Sequence, residues 1–104
     1  MAIPKRYKNF KQDFPDVLDA YESMGDAVHQ AGPLDSKTRA LLKLAISTGA
    51  RLEGAVHSHT RKALAAGASK DELRHVAVLS LPTIGFPSMM AALSWIDDVV
   101  ENPK

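Results

Sequence analysis

Apolar residues recur at three- and four-residue steps along most of the chain, and no stretch alternates residue by residue as a half-buried strand would. The spacing predicts about five helices. Val17, Leu18, Tyr21, Met24 and Val28 make the first apolar stripe, with Asp13 placed to cap the helix and Pro15 tolerated in its opening turn. Gly32-Pro33 closes it. Asp35 or Ser36 caps a second helix, whose Leu41, Leu42, Leu44, Ala45 and Ile46 give a face broad enough for a central position, and Gly49 marks its end or a bend. A third helix runs from about Leu52 to Ala66, with Gly67 as a left-handed stop. Ser69 and Glu72 form a capping box ahead of Leu73, Val76, Ala77 and Leu79. Pro82 and Gly85 interrupt the pattern, and Pro87 opens a last helix carrying Met89, Met90, Leu93, Trp95 and Ile96. Residues 1–12 read as an irregular arm and residues 13–104 as one all-α domain, an antiparallel helical array.

Composition narrows the function classes. A chain of 104 residues has a high surface-to-volume ratio, so a lone copy would be marginal and a homo-oligomer is expected. The late Met and Trp95 stripe fits packing or subunit contacts better than a cofactor box. Thirteen basic and twelve acidic residues nearly cancel, which gives no electrostatic footprint for nucleic acid or an anionic membrane. No apolar run approaches the roughly 20 residues that span a bilayer. The basic start (Lys5, Arg6, Lys8, Lys11) lacks the apolar core of a signal peptide, so a cytoplasmic location is expected. Cysteine is absent, which removes disulfides and thiolate metal sites.

The chemistry-bearing segment is LEGAVHSHTRKALAAG, residues 52–67. Glu53 and His57 are four apart and share a helix face. His59 lies about 200° around the helix from His57 by the 100° step, so one small ligand does not easily meet both imidazoles of one chain. This is not the HExxH spacing, and a metal here would need ligands from another helix or subunit. Arg39 and Lys43, one turn apart on the second helix, are the candidate carboxylate-binding cations. Each group also has a plainer reading: Glu53–His57 as a solvated pair, His59 as a satisfied core histidine, and Arg39 and Lys43 as solvent-facing cations.

Three features then carry a resemblance: PLD followed by KTR at the start of a central apolar helix, His59 ahead of an Ala-rich turn ending in AAGAS, and the KDEL capping-box helix that follows. The chain resembles the carboxymuconolactone decarboxylase family, which includes the alkylhydroperoxidase D-like proteins, over roughly residues 14–98. The resemblance implies an alkylhydroperoxidase D-like all-α subunit in residues 13–104. It also implies a homotrimer or homohexamer, and a pocket lined by the histidine helix near a subunit contact. Aligned on His59, the two cysteines of the peroxidase branch fall at Leu52 and Ala55, and its assisting glutamate near Ala40. None of the three groups is present, and a thiolate is the nucleophile of that chemistry, so thiol peroxidase turnover is not expected.

The decarboxylase branch needs no thiol. The resemblance therefore implies a lyase without cofactor or bound metal, acting on a small carboxylate or lactone. Of the site residues only His59 carries over, as proton donor. His57 and Glu53 as acid/base partners, and Arg39 and Lys43 as substrate-binding cations, are read from the residues of this chain and not from the family. The alternatives are a non-catalytic binding or structural oligomer, and a metal site at a subunit contact.

Overall fold

The structure, a computed structural model, describes residues 4–101, and all regular structure among them is helical. By its internal contacts the chain divides into two compact units, one ending at Leu34 and one beginning at Asp35.

The first unit holds α1 (Lys5–Asp13) and α2 (Pro15–Gln30). Residues 5–12 of the expected irregular arm are therefore helical, while residues 1–3 of it lie outside the described residues. Tyr7, Phe10 and Phe14 follow a helical step through the charges that interleave them. The Phe10 and Phe14 rings lie 5.3 Å apart, and the Tyr7 hydroxyl donates to Glu22 Oε2 at 2.9 Å, which ties α1 to α2. Asp13 does not cap α2. It is the last residue of α1, and Phe14 occupies the N-cap position without a side-chain hydrogen bond. Pro15 opens α2 as expected, where a missing amide donor costs nothing. Of the stripe on α2, Leu18 is buried, while Val17, Tyr21, Met24 and Val28 remain exposed.

The second unit holds α3 (Ser36–Gly49), α4 (Glu53–Ala65), α5 (Lys70–Leu79), the single turn α6 (Leu81–Ile84) and α7 (Phe86–Glu101). Its core is Leu44, Val56, Ala63, Leu73, Ala77, Ala92 and Ile96, contributed where α3 packs on α4 and where α4 and α5 pack on α7. Leu44, Leu73 and Ile96 are fully buried, and each large side chain contributes roughly 2 kcal/mol of hydrophobic stabilisation. Leu79 does not join them and is 63% exposed. It sits about 120° around α5 from Leu73, off the axis that Leu73 and Ala77 define.

The ends of these helices follow the local chemistry. Asp35 accepts the Thr38 amide at 2.8 Å, and its carboxyl is held below the usual aspartate value first by the Thr38 side chain and then by this amide. Ser69 and Glu72 complete both halves of the capping box, at 3.1 and 2.8 Å. Lys37 bridges to Glu72 at 2.8 Å, tying the start of α3 to the start of α5, and is the main cause of a lowered Glu72 pKa. Gly67 ends α4 at φ +99°, with Ala68 donating to the Ala63 carbonyl and Gly67 to that of Leu64. Gly85, at φ +92°, separates α6 from α7.

Candidate functional site

The turn that delivers the histidine helix is strained. Leu52 donates to the Ser47 carbonyl at 3.2 Å and Arg51 to that of Thr48 at 3.1 Å, the same pair of bonds that closes α4. Here, however, the left-handed position is taken by Arg51 at φ 59° rather than by a glycine. A side chain in that conformation costs about 1–2 kcal/mol. Gly49, the expected stop, lies two residues earlier and still inside α3. The turn fixes the register in which α4 leaves α3, and so fixes which α4 residues face which neighbour.

Three sides of α4 are thereby defined. Val56, Thr60 and Ala63 are buried, with Thr60 Oγ1 donating back to the Val56 carbonyl at 2.7 Å. His57 lies on the α7 side, where its Nε2 is 3.2 Å from Asp98 Oδ2. The carboxylate beside His57 is thus Asp98, and Glu53 is not among its ion-pair partners in the described residues. Glu53 is exposed in the first turn of α4, where its charge complements the helix dipole. His59, half-buried, falls about 200° from His57 and shares its flank with Lys62, three residues on.

That flank is the one beside α3. Lys43 is half-buried and its pKa is lowered, first by burial and then by repulsion from Lys62 and Arg39. Lys43 thus lies within electrostatic reach of Arg39 on its own helix and of Lys62 on α4, where α3 and α4 pack. The five residues expected to form a site separate accordingly. Arg39 and Lys43 lie together on α3, the helical step puts His59 on the Lys62 side of α4, and Glu53 and His57 fall on its opposite flank. Sequence reasoning missed Lys62 and Asp98. Lys62 was visible as the i+3 neighbour of His59, but Asp98 is 41 positions from His57 and left no local signal.

Among the described residues, no group of three or more His, Asp or Glu side chains is placed to hold a metal ion, and no helix is long and apolar enough to cross a membrane. A groove of about 560 Å³ opens elsewhere, between α3, α5 and α6, and none of the five expected residues lines it.

An all-α body whose histidine helix α4 packs between α3 and α7 defines a class of fold. The match to known families makes it specific. Residues 15–98 match the carboxymuconolactone decarboxylase family, and the chain belongs to that family. A solved family member from Legionella pneumophila, in its apo form, superposes with a TM-score of 0.79 at 23% identity, covering 95% of this chain and 88% of that one. A Burkholderia xenovorans structure whose description proposes a carboxymuconolactone decarboxylase superposes with a TM-score of 0.69 at 21% identity, covering 98% of this chain and 83% of that one. At these identities the two structures speak for the fold. An uncharacterised protein of Haemophilus influenzae is 34% identical over 61 residues, which span 59% of this chain and 54% of that relative.

Proposed function

We propose that this family member is a cofactor-free acid/base lyase acting on a small lactone carboxylate, with His59 as proton donor and the α3–α4 cationic edge as substrate anchor. The observation that carries the reading is that Lys43 on α3 lies within electrostatic reach of both Arg39 and Lys62, the last on the flank of α4 where the helical step also puts His59. A guanidinium or ammonium near the histidine is suited to hold a substrate carboxylate. In the reaction, the bond from carbon to the departing carboxylate breaks and carbon dioxide leaves. The electron pair is held as an enolate conjugated with the lactone carbonyl. The imidazolium of His59 then gives its proton to carbon and is reprotonated from water. Lys43 and Arg39 hold the substrate by a carboxylate that is retained. Glu53 and His57 play supporting parts from the edge of the site, and the Asp98 pairing makes His57 a tie between α4 and α7.

The protein works in this reading as a homotrimer or homohexamer. Support comes from the apolar surface that a chain this short leaves open: Ile46 is 69% exposed, Leu79 63% and Tyr21 62%. Sedimentation at micromolar concentration is expected to give an oligomer, and a stable monomer would contradict this part of the proposal.

The enzymatic part is tested with carboxymuconolactone, the compound in the family's name, by following carbon dioxide release. His59→Ala is expected to abolish turnover with the oligomer and helicity intact, while His57→Ala retains much of it. Loss of thermal stability in His59→Ala without any change in substrate response would make His59 a core histidine and end the proposal.

A further inference from the structure

Among the described residues of the first unit, α1 and α2 bury a single side chain between them, Leu18. Helices of nine and sixteen residues hold their shape in water chiefly by packing an apolar face, and here most of that packing is unmade. The face left open is ordered. Phe14, at the N-cap of α2, and then Val17, Tyr21, Met24 and Val28 follow one another at steps of three, four, three and four, and each is more than half exposed. That spacing is the seam of a coiled coil, which packs along a like helix.

The surroundings of the seam suit a close helical neighbour. On one flank the helical step puts only small side chains, Ala20 and Ala27, both exposed. The other flank, with Leu18 and Glu22 one turn apart, is taken by α1: Leu18 is buried there and the Tyr7 hydroxyl reaches Glu22. All four carboxylates of α2, on Asp16, Asp19, Glu22 and Asp26, fall outside the seam, so a second α2 laid along it meets no like charge. The area is sufficient as well. Five side chains each exposing on the order of 120 Å² let two copies bury roughly 1,200 Å², the lower bound of a stable interface, before the alanines are counted. Shape sets the direction. In an antiparallel pair the bulky Phe14 end of one seam lies against the smaller Val28 end of the other, and Tyr21, midway between them, falls at the crossing.

We propose that α2 is a self-association surface, whose seam from Phe14 to Val28 packs antiparallel on the same seam of a second copy about a twofold axis near Tyr21. The contact rests on the oligomeric reading above and, of the two assemblies named there, requires the hexamer, because a trimer has no twofold axis. Sedimentation and crosslinking of the full chain test it. The wild type is expected to sediment as a hexamer. Met24→Glu, which sets a carboxylate into each half of the seam, should sediment at half that mass with its helical circular dichroism retained. The chain has no cysteine, so one can be introduced alone. A short bismaleimide should join Tyr21→Cys to a second copy and leave Asp19→Cys, on the far side of the helix, unjoined. A monomeric wild type overturns the oligomeric reading and this contact with it. A wild-type dimer that Met24→Glu makes monomeric contradicts the trimer and hexamer and upholds the contact. Three results overturn the contact alone: a wild-type trimer, a hexamer whose mass Met24→Glu leaves unchanged, or a Tyr21→Cys protein that crosslinks no faster than Asp19→Cys. Any of these would mean that the seam is covered by some surface other than a second α2.

Discussion

Two buried threonines of the second unit allow the reasoning about polar burial to be tested by one substitution made twice. Thr48 is 1% exposed and Thr60 is 0% exposed, and both lie within helices, but Thr60 Oγ1 donates to the Val56 carbonyl at 2.7 Å while Thr48 Oγ1 bonds nothing. Threonine to valine keeps the side-chain shape and nearly the same helix propensity, so the local terms cancel. At Thr60 the change forfeits a satisfied bond, worth about 1 kcal/mol net, and the Val56 carbonyl keeps its helical partner. At Thr48 it removes a hydroxyl buried without a partner, a burden of about 1–3 kcal/mol, so Thr48→Val is expected to stabilise by about 1 kcal/mol. The two variants should then differ by about 2 kcal/mol. At about 4–8 °C per kcal/mol for a domain near 100 residues, their melting temperatures should stand on the order of 10 °C apart, on opposite sides of the wild type. Calorimetry at equal protomer concentration is the assay, because assembly shifts apparent stability by mass action. A Thr48→Val protein that melts as low as Thr60→Val would mean that the Thr48 hydroxyl has a partner.

Arg51→Gly should raise stability by up to about 1 kcal/mol, since glycine relieves the left-handed strain at φ 59° and gives back part of the gain in chain entropy; equal or lower stability by urea denaturation would show that Arg51 is not strained. The Glu72 carboxyl is held below its ordinary value by Lys37 and the Ser69 amide, so its contribution to stability is fully present above the unfolded pKa and is lost as pH falls through the folded one. Glu72→Gln should therefore flatten the acid limb of the stability curve, and an unchanged limb would contradict the assignment. With no cysteine in the chain, dithiol-dependent hydroperoxide turnover should be absent from the metal-free protein; a robust rate would require a nucleophile other than thiolate.

The residues that made the fold legible were those whose effect is local. Asp35, the Ser69–Glu72 box and Gly67 each act within four residues, so their roles could be read from spacing alone. The apolar face of α3 was read too broadly: Leu44 is buried, but Leu42 and Ile46 are 47% and 69% exposed. Residues 4–13 were misread because charges interrupt the Tyr7, Phe10 and Phe14 period, and because the Tyr7–Glu22 bond spans 15 positions. Arg51 hid the α3–α4 turn, since a left-handed arginine carries no sequence mark of the kind that glycine does. For the site, the separation of His59 from His57 followed from the helical step. The partners on other helices did not: Asp98 and the grouping of Lys43 with Lys62 depend on how α3 and α7 pack against α4.

The central claim, that His59 and the α3–α4 cationic edge receive a small lactone carboxylate, is tested most directly by NMR. Carboxymuconolactone would be titrated into protein carrying labelled histidine and lysine. Saturable shifts at the His59 imidazole and the Lys43 side chain are predicted, reduced by Arg39→Met and with His57 little affected. Shifts confined to His57, or no saturable change at His59 and Lys43, would contradict the account.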